Sequence, residues 1–305
     1  MSITIEKYKN QHGVYVLRDD LLPGGTKSIL LDYIINRGAV PPSDPQLKGA
    51  LPPSDPQLKG ALPPLSSEIN EFVYASPCYG GFQIALSIFC KNNNKKATIF
   101  CAERKIRHPN TDTCIKNGAN VIEIPYGYLS VVEKHAREYV SRKPMRQITN
   151  AEGVLGAPLV PMKIAFGANS PETINIIASR AKRVIETFHT TYGAMPHEIW
   201  CAVGSGTLIN GIIQAVAEMQ GKEGSDGSSL KIYGVQVGKE FKDTHYPNVT
   251  ILVYPKPFEY VSKLKVNFPS MPNYDLKAFE LCLEYNKNSH VDIDANKKVL
   301  FWNVL

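Results

Sequence analysis

Residues 17–28 read LRDDLLPGGTKS, in which the end of an apolar strand is followed by a glycine turn and the start of a helix. Glycine lets the backbone turn sharply at such a junction, and the turn puts Lys27 at the start of the helix. In an α/β protein this position faces the carboxyl edge of the sheet, where ligands bind. The positive helix end lowers the pKa of Lys27 and favours the free amine that attacks an aldehyde. Lys27 is therefore a candidate Schiff-base lysine, and the alternative is a solvated lysine.

Short β-branched runs alternate with longer helical patterns along the chain, which predicts an α/β fold with parallel-rich sheets. The predicted strands are Val14–Leu17, Glu71–Ala75, Ala97–Ala102, Asn120–Ile124, Glu198–Val203 and Lys231–Gln236. The predicted helices are Lys27–Asn36, Gly81–Lys91, Thr111–Lys116, Leu129–Val140, Glu172–Phe188 and Thr207–Met219.

A second glycine turn follows the apolar run 199–203 and reads GSGT. Backbone N–H groups and two hydroxyls at the start of the next helix can surround one phosphate. The turn has neither the glycine-lysine ending of a nucleoside triphosphate loop nor the spacing of a dinucleotide fingerprint. The candidate phosphate ligands are Gly204, Ser205, Gly206 and Thr207, and the alternative is a plain strand-to-helix turn.

A third stretch, residues 75–86, reads ASPCYGGFQIAL and again joins a strand to a helix through a small polar loop. Its hydroxyl at Ser76 and the N–H groups near Gly80 and Gly81 suit the binding of a carboxylate.

A fourth stretch, residues 272–279, reads PNYDLKAF. Tyr274 and Asp275 are either a stacking group and an acid in a site, or a packed ring and a helix N-terminal cap.

Taken together and in this order, the four stretches resemble the fold type II pyridoxal-phosphate enzymes, above all the aminocyclopropane-carboxylate deaminase and D-cysteine desulfhydrase branch. The resemblance runs from about Tyr15 to Lys277. It implies two α/β lobes with the cofactor cleft between them. It further implies that Lys27 binds pyridoxal 5′-phosphate covalently and that residues 204–207 hold the cofactor phosphate.

The same resemblance implies roles for the other two stretches. Ser76 and the helix start at Gly80 and Gly81 would hold the substrate carboxylate. Tyr274 would be a catalytic tyrosine, and Asp275 would bind the cofactor as an acid near the pyridine nitrogen.

The sequence departs from that family in the carboxylate loop, where the family has Ser-Asn or Gly-Asn and this chain has Pro77, Cys78 and Tyr79. A phenol can still bond a ring hydroxyl, so we expect Tyr79 to stand beside the cofactor ring. The alternative is a wall residue with its hydroxyl in water. Residues 301–305, FWNVL, have no counterpart in the family pattern.

We expect residues 1–40 and 155–305 to form a larger, cofactor-binding lobe and residues 66–154 a smaller α/β lobe. Residues 41–65 hold two identical consecutive copies of PPSDPQLKGAL. So much proline excludes a helix or a central strand, and two copies are too few for a repeat fold. The segment is therefore predicted to be a proline-rich insertion loop.

Composition excludes several classes of protein. With 305 residues, 43% of them apolar and 20% charged, the chain is typical of a globular protein. The formal charge of +6 is dispersed, which does not favour nucleic-acid binding. There is no membrane-length apolar run and no secretory h-region, and the six cysteines include no C-x-x-C pair. We therefore expect a cytoplasmic protein, here a homodimer, without a metal site or a membrane segment.

These observations predict a pyridoxal-phosphate-dependent lyase or transferase that deaminates a small amino acid or catalyses its β-elimination or β-replacement. One alternative is a protein of the same fold that has lost catalysis and serves as a binding or scaffold protein. Another is an enzyme that transfers an amino acid in nucleotide or nucleic-acid modification, for which the only support is the charge of +6.

Deleting one copy of the repeat, residues 52–62, should hardly change the melting temperature. The reason is that loop closure entropy changes by only about 0.6 kcal/mol per doubling of loop length. Thermal unfolding followed by circular dichroism tests this, with the full chain as the control. A large fall in melting temperature would instead show that the repeat packs against the core or an interface.

Overall fold

A computed structural model describes residues 2–35, 69–125, 127–142, 146–149, 155–220, 230–238, 240–241, 246–288 and 297–305. The predicted proline-rich loop, residues 41–65, lies outside the described residues.

The described residues form two sheets with helices between the strands. The strands are β1 (Ile5–Lys7), β2 (Val14–Arg18), β3 (Ile69–Ala75), β4 (Lys96–Ala102), β5 (Asn120–Ile124), β6 (Arg146–Thr149), β7 (Leu155–Ile164), β8 (Glu198–Val203), β9 (Lys231–Gln236), β10 (Val249–Val253) and β11 (Val299–Asn303). The helices are α1 (Lys27–Ile35), α2 (Phe82–Asn92), α3 (Pro109–Lys116), α4 (Leu129–Arg142), α5 (Pro171–Tyr192), α6 (Thr207–Gln220) and α7 (Asp275–Asn288).

The larger sheet has six strands in the order β1-β2-β11-β8-β9-β10. All neighbours are parallel except β1 and β2, so β2, β11, β8 and β9 end at the same edge. Strand β11 lies between β2 and β8, where Trp302 pairs with Leu17 on one side and Cys201 on the other.

The smaller sheet has five strands in the order β5-β4-β3-β7-β6, parallel except for the β6–β7 pair. The predicted division into two lobes remains a prediction, but β7, which it placed in the larger lobe, pairs with β3 in this sheet.

Alternate residues of the larger sheet enter two cores, as the side-chain period of a strand requires. Tyr15 and Leu17 of β2 pack on the side of α5 and α6, whereas Val14 and Val16 pack on the side of α7. Both faces are covered, which explains why β8 is buried along its whole length.

The predicted α/β class with parallel-rich sheets is confirmed, and each predicted strand and helix is found with small shifts at its ends. The sequence patterns did not predict β1, β6, β7, β10, β11 or α7. Strand β7 was not predicted because it contains Pro158 and Pro161, and proline is disfavoured in an inner strand.

A buried ion pair joins the end of β2 to the helices behind the sheet. The carboxylate of Asp19 faces the guanidinium of Arg180 on α5, with Nε 3.3 Å from Oδ2 and Nη2 bonded to Oδ1. Oδ2 also accepts hydrogen bonds from Thr26 Oγ1 at 2.7 Å and Trp302 Nε1 at 3.1 Å. Asp19 therefore fixes the turn before Lys27 against β11 and α5.

Asp19→Asn should destabilise the fold by about 3–5 kcal/mol, because it leaves the Arg180 charge buried without a counter-charge. Urea denaturation measures the loss. The matched control is Glu138→Gln, which removes the exposed pair with Arg142 on α4 and should cost no more than about 1 kcal/mol. Equal, small losses in both variants would contradict the role given to Asp19.

Candidate functional site

Strand ends of the larger sheet, among them those of β2, β8 and β11, converge on one cavity of about 450 Å³. Lys27 follows β2, the turn 204–207 follows β8, and Val304 and Leu305 follow β11. Because the strands are parallel, segments far apart in sequence meet at this edge. Tyr79, Gly80 and Gly81, from the loop after β3 in the smaller sheet, complete the wall.

Lys27 is the first residue of α1 and presents its amine to the cavity. Nζ donates a hydrogen bond to the main-chain oxygen of Leu305 at 2.9 Å. A β-carbon on Gly81 would lie 3.5 Å from Nζ, so glycine there leaves room above the amine. Burial lowers the pKa of Lys27, although the negative charge of Asp275 acts in the opposite direction. The lowered pKa favours the neutral, nucleophilic amine.

Asp275 lies behind this amine, fully buried at the start of α7. Its Oδ2 accepts a hydrogen bond from the main-chain nitrogen of Leu305 at 2.9 Å, so Leu305 connects Lys27 to Asp275. Oδ1 has no hydrogen-bond partner among the described residues. Burial raises the pKa of Asp275 to about 6, although the Lys27 charge and the Leu305 N–H act in the opposite direction.

The glycine turn at residues 204–207 leads into α6, and the hydroxyls of Ser205 and Thr207 both lie beside Gly167. Ser205 Oγ lies 3.1 Å from Thr207 Oγ1, which donates to the main-chain oxygen of Gly167 at 3.0 Å. Gly206 has φ +88°, and a β-carbon there would lie 2.6 Å from the ring of Phe241. Main-chain N–H groups at a helix start together with two hydroxyls are the donors that a phosphate needs.

Tyr274 borders the same turn. A β-carbon on Gly204 would lie 2.9 Å from the Tyr274 hydroxyl oxygen, which itself lies 3.5 Å from the carbonyl oxygen of Ala202. Burial raises the pKa of Tyr274, so its hydroxyl keeps its proton. Glycine at 204 is thus required by the tyrosine as well as by the turn.

The predicted carboxylate loop is only partly on the cavity wall. Gly80 and Gly81 line the cavity, but the buried Ser76 hydroxyl donates to the carbonyl oxygen of Pro77 at 2.9 Å. Its role toward a substrate carboxylate stays a prediction. Tyr79 stands at the wall, with its ring 4.8 Å from His108 and 6.0 Å from Phe258.

All predicted site residues except Ser76 and Asp275 line the cavity: Lys27, Tyr79, Gly80, Gly81, Gly204, Ser205, Gly206, Thr207 and Tyr274. Sequence analysis missed the main chain of Leu305, which gives no side-chain signal.

Lys277 on α7, which was not predicted as a site residue, holds a cavity wall. Although it is fully buried, its Nζ donates to the carbonyl oxygens of Pro257 at 2.7 Å and Phe258 at 3.1 Å. The ammonium lies 5.1 Å from the ring centre of Tyr254 and 5.6 Å from that of Phe258. The available signal was a lysine within the buried face of a helix, which needs a partner.

The part of the chain that the structure describes contains no group of three or more histidine, cysteine or acidic residues placed to hold a metal. None of its helices is both long and apolar enough to cross a membrane. All six cysteines are buried, unpaired thiols.

Comparison with known proteins gives a match in structure only. No protein family model and no curated protein matches the sequence. An ACC deaminase homologue superposes with a TM-score of 0.70 at 14% identity, covering 100% of this chain and 89% of that chain. A hydrogen sulfide-producing enzyme from Fusobacterium nucleatum gives a TM-score of 0.62 at 12% identity, covering 99% and 92%.

A third solved structure, the O-acetylserine dependent cystathionine beta-synthase from Helicobacter pylori, gives a TM-score of 0.57 at 14% identity, covering 100% of this chain and 92% of that chain. The chain therefore shares its fold with these solved structures, and the fold implied by the sequence resemblance is confirmed.

Asp275→Asn should change how stability depends on pH. Because the pKa of Asp275 is raised from its usual 3.8 to about 6, folding favours the protonated carboxyl, and the wild type loses stability as pH rises through this window. The variant does not titrate there. Its free energy of unfolding should therefore rise relative to the wild type by about 2–3 kcal/mol between about pH 4 and pH 6.

Urea denaturation of both proteins across this window measures the difference. A difference that stays constant with pH would show that Asp275 is not held protonated by the fold.

Proposed function

We propose that this protein is a pyridoxal-phosphate-dependent lyase or transferase that acts on a small amino acid. The observation that carries the proposal is the position of Lys27. Its amine, with a lowered pKa, enters a cavity whose wall includes the phosphate-type turn at residues 204–207. The structural neighbours that act in sulfur and amino-acid chemistry support the same general class.

The residues present fit the cofactor. The turn at residues 204–207 offers helix-end N–H groups and two hydroxyls to the phosphate. Lys27 offers its amine to the aldehyde, and Asp275 offers Oδ1, which has no hydrogen-bond partner in the part of the chain that the structure describes. The glycines at 81 and 204 leave space where a β-carbon would approach Lys27 or Tyr274.

When bound, pyridoxal phosphate supplies an electron sink for breaking a bond at the substrate Cα. Side chains of the protein then supply the proton transfers and the charge that the reaction needs. Lys27, as a neutral amine, can take up and return a proton at Cα. Asp275 favours positive charge nearby and would bind the protonated pyridine nitrogen, while Tyr274 keeps a proton to donate.

The small amino acid would lie between Lys27 and the loop after β3. The main-chain N–H group at Gly81, the N-cap of α2, is suited to its carboxylate, and that of Gly80 would join it after giving up its 2.8 Å bond to the carbonyl oxygen of Pro77. Ser76 would join them after giving up its bond to Pro77. Deamination, β-elimination and β-replacement all begin with a bond broken at Cα, and each is included in the proposal.

A catalytically altered binding or scaffold protein is the second candidate. Two observations favour it, since the Ser76 hydroxyl is bonded to the neighbouring carbonyl oxygen and the Lys27 amine to Leu305. Both bonds must open for catalysis. The homodimer and the cytoplasmic location stay predictions.

The test is a spectrum and a covalent label. Purified protein mixed with excess pyridoxal phosphate should absorb in the visible, and borohydride should fix the cofactor to the peptide that contains Lys27, as read by mass spectrometry. Lys27→Ala should abolish the label. Lys256→Ala is the matched control, because Lys256 also lines the cavity but should leave the label unchanged.

A panel of small amino acids then separates the two candidates, with release of ammonia or a keto acid as the readout. Turnover supports the enzyme, whereas labelling of Lys27 without turnover of any substrate supports the binding protein. A protein that stays colourless and unlabelled in excess cofactor contradicts the enzyme and supports a scaffold protein that has lost the cofactor.

A further inference from the structure

Tyr74 of β3 brings a hydroxyl from the smaller sheet to the phosphate-type turn of the larger one. The side chain is fully buried, and its ring packs on Phe82 with ring centres 4.6 Å apart. Even so, Tyr74 belongs to the wall of the cavity. Its hydroxyl oxygen accepts a hydrogen bond from the main-chain nitrogen of Gly167 at 3.3 Å.

Gly167 links this hydroxyl directly to the turn. Its carbonyl oxygen accepts from Thr207 Oγ1 at 3.0 Å, and a β-carbon on it would lie 2.2 Å from Ser205 Oγ. Gly167 has φ +65°, which glycine tolerates, and all three residues line the cavity. The hydroxyls of Tyr74, Ser205 and Thr207 therefore surround one backbone unit beside the start of α6.

The proton of the Tyr74 hydroxyl has no acceptor among the described residues, since its one hydrogen bond there is accepted from Gly167. A buried O–H group without an acceptor costs free energy, and an anionic ligand oxygen would remove that cost. Burial raises the pKa of Tyr74, so the group stays a donor at neutral pH. In contrast, the buried hydroxyl of Tyr233 lies 3.3 Å from the hydroxyl of Tyr285, away from the cavity.

We propose that Tyr74 is a phosphate-binding residue, donating a hydrogen bond from the smaller sheet to the cofactor phosphate that the turn at residues 204–207 holds. The inference rests on the proposed function. It adds a ligand from β3 to a site otherwise formed by the end of β8 and the start of α6. Phosphate binding would then tie the two sheets together through one tyrosine.

The test compares pyridoxal phosphate with pyridoxal, which has the same ring and aldehyde but no phosphate. Binding of each is titrated by absorbance to the wild type, to Tyr74→Phe and to the control Tyr233→Phe. Losing a hydrogen bond to a charged group should weaken pyridoxal phosphate binding to Tyr74→Phe about tenfold or more. Pyridoxal binding should be unchanged, and the control should match the wild type for both ligands.

Equal losses for the two ligands, or no loss, would overturn the role of Tyr74. A wild type that binds neither ligand would instead contradict the proposed function.

A second measurement does not depend on the stability of the Phe variant. With 3-fluorotyrosine placed at position 74, the fluorine resonance should move when pyridoxal phosphate is added and not when pyridoxal is added. A resonance that responds equally to both ligands would place the hydroxyl away from the phosphate.

Discussion

The carboxylate of Asp19 connects parts of the chain that lie far apart in sequence. It lies at the end of β2, yet its partners come from α5, from β11 and from the turn before Lys27. A buried charge must be paired and hydrogen-bonded, so these contacts have to form together or the carboxylate stays uncompensated. The place of Trp302 beside Thr26 and the direction of α1, which carries Lys27 into the cavity, follow from this constraint.

Parallel pairing of the strands then brings the residues of the candidate site together. Strands β2, β11 and β8 end at the same edge, so the lysine turn, the residues after β11 and the glycine turn face one space. Main chain must come close to side chain there, and several positions leave no room for a β-carbon. A β-carbon on Gly25 would lie 2.0 Å from the carbonyl oxygen of Val304, and a β-carbon on Gly204 would collide with Tyr274. The glycines that mark the motifs are thus packing requirements as well as sources of free N–H groups.

This explains which parts could be predicted from sequence. The turns at Lys27 and at residues 204–207 combine an apolar run, glycines and a helix start within a dozen residues, so local pattern is sufficient. Strand β11 lies between β2 and β8 only through pairing with residues 285 and 101 positions away, and no local signal reports such pairing. The hydrogen bonds that Leu305 makes with Lys27 and Asp275 use its main-chain atoms, so the sequence gives no signal for them either. For Ser76 the opposite holds. Its motif could be recognised in the sequence, but the hydrogen bond that its hydroxyl donates to the carbonyl oxygen of Pro77 could not.

The Lys27–Leu305–Asp275 arrangement sets the electrostatics of the cavity floor. Burial disfavours both charges, since it lowers the pKa of Lys27 and raises that of Asp275, yet each charge would stabilise the other. Leu305 stands between them, with its main-chain oxygen accepting from the lysine and its main-chain nitrogen donating to the carboxylate, so Lys27 and Asp275 form no direct hydrogen bond. A closed ion pair would hold the lysine charged and unable to attack an aldehyde. Separation by one residue leaves the amine free to become neutral, and Oδ1 of Asp275 has no hydrogen-bond partner among the described residues.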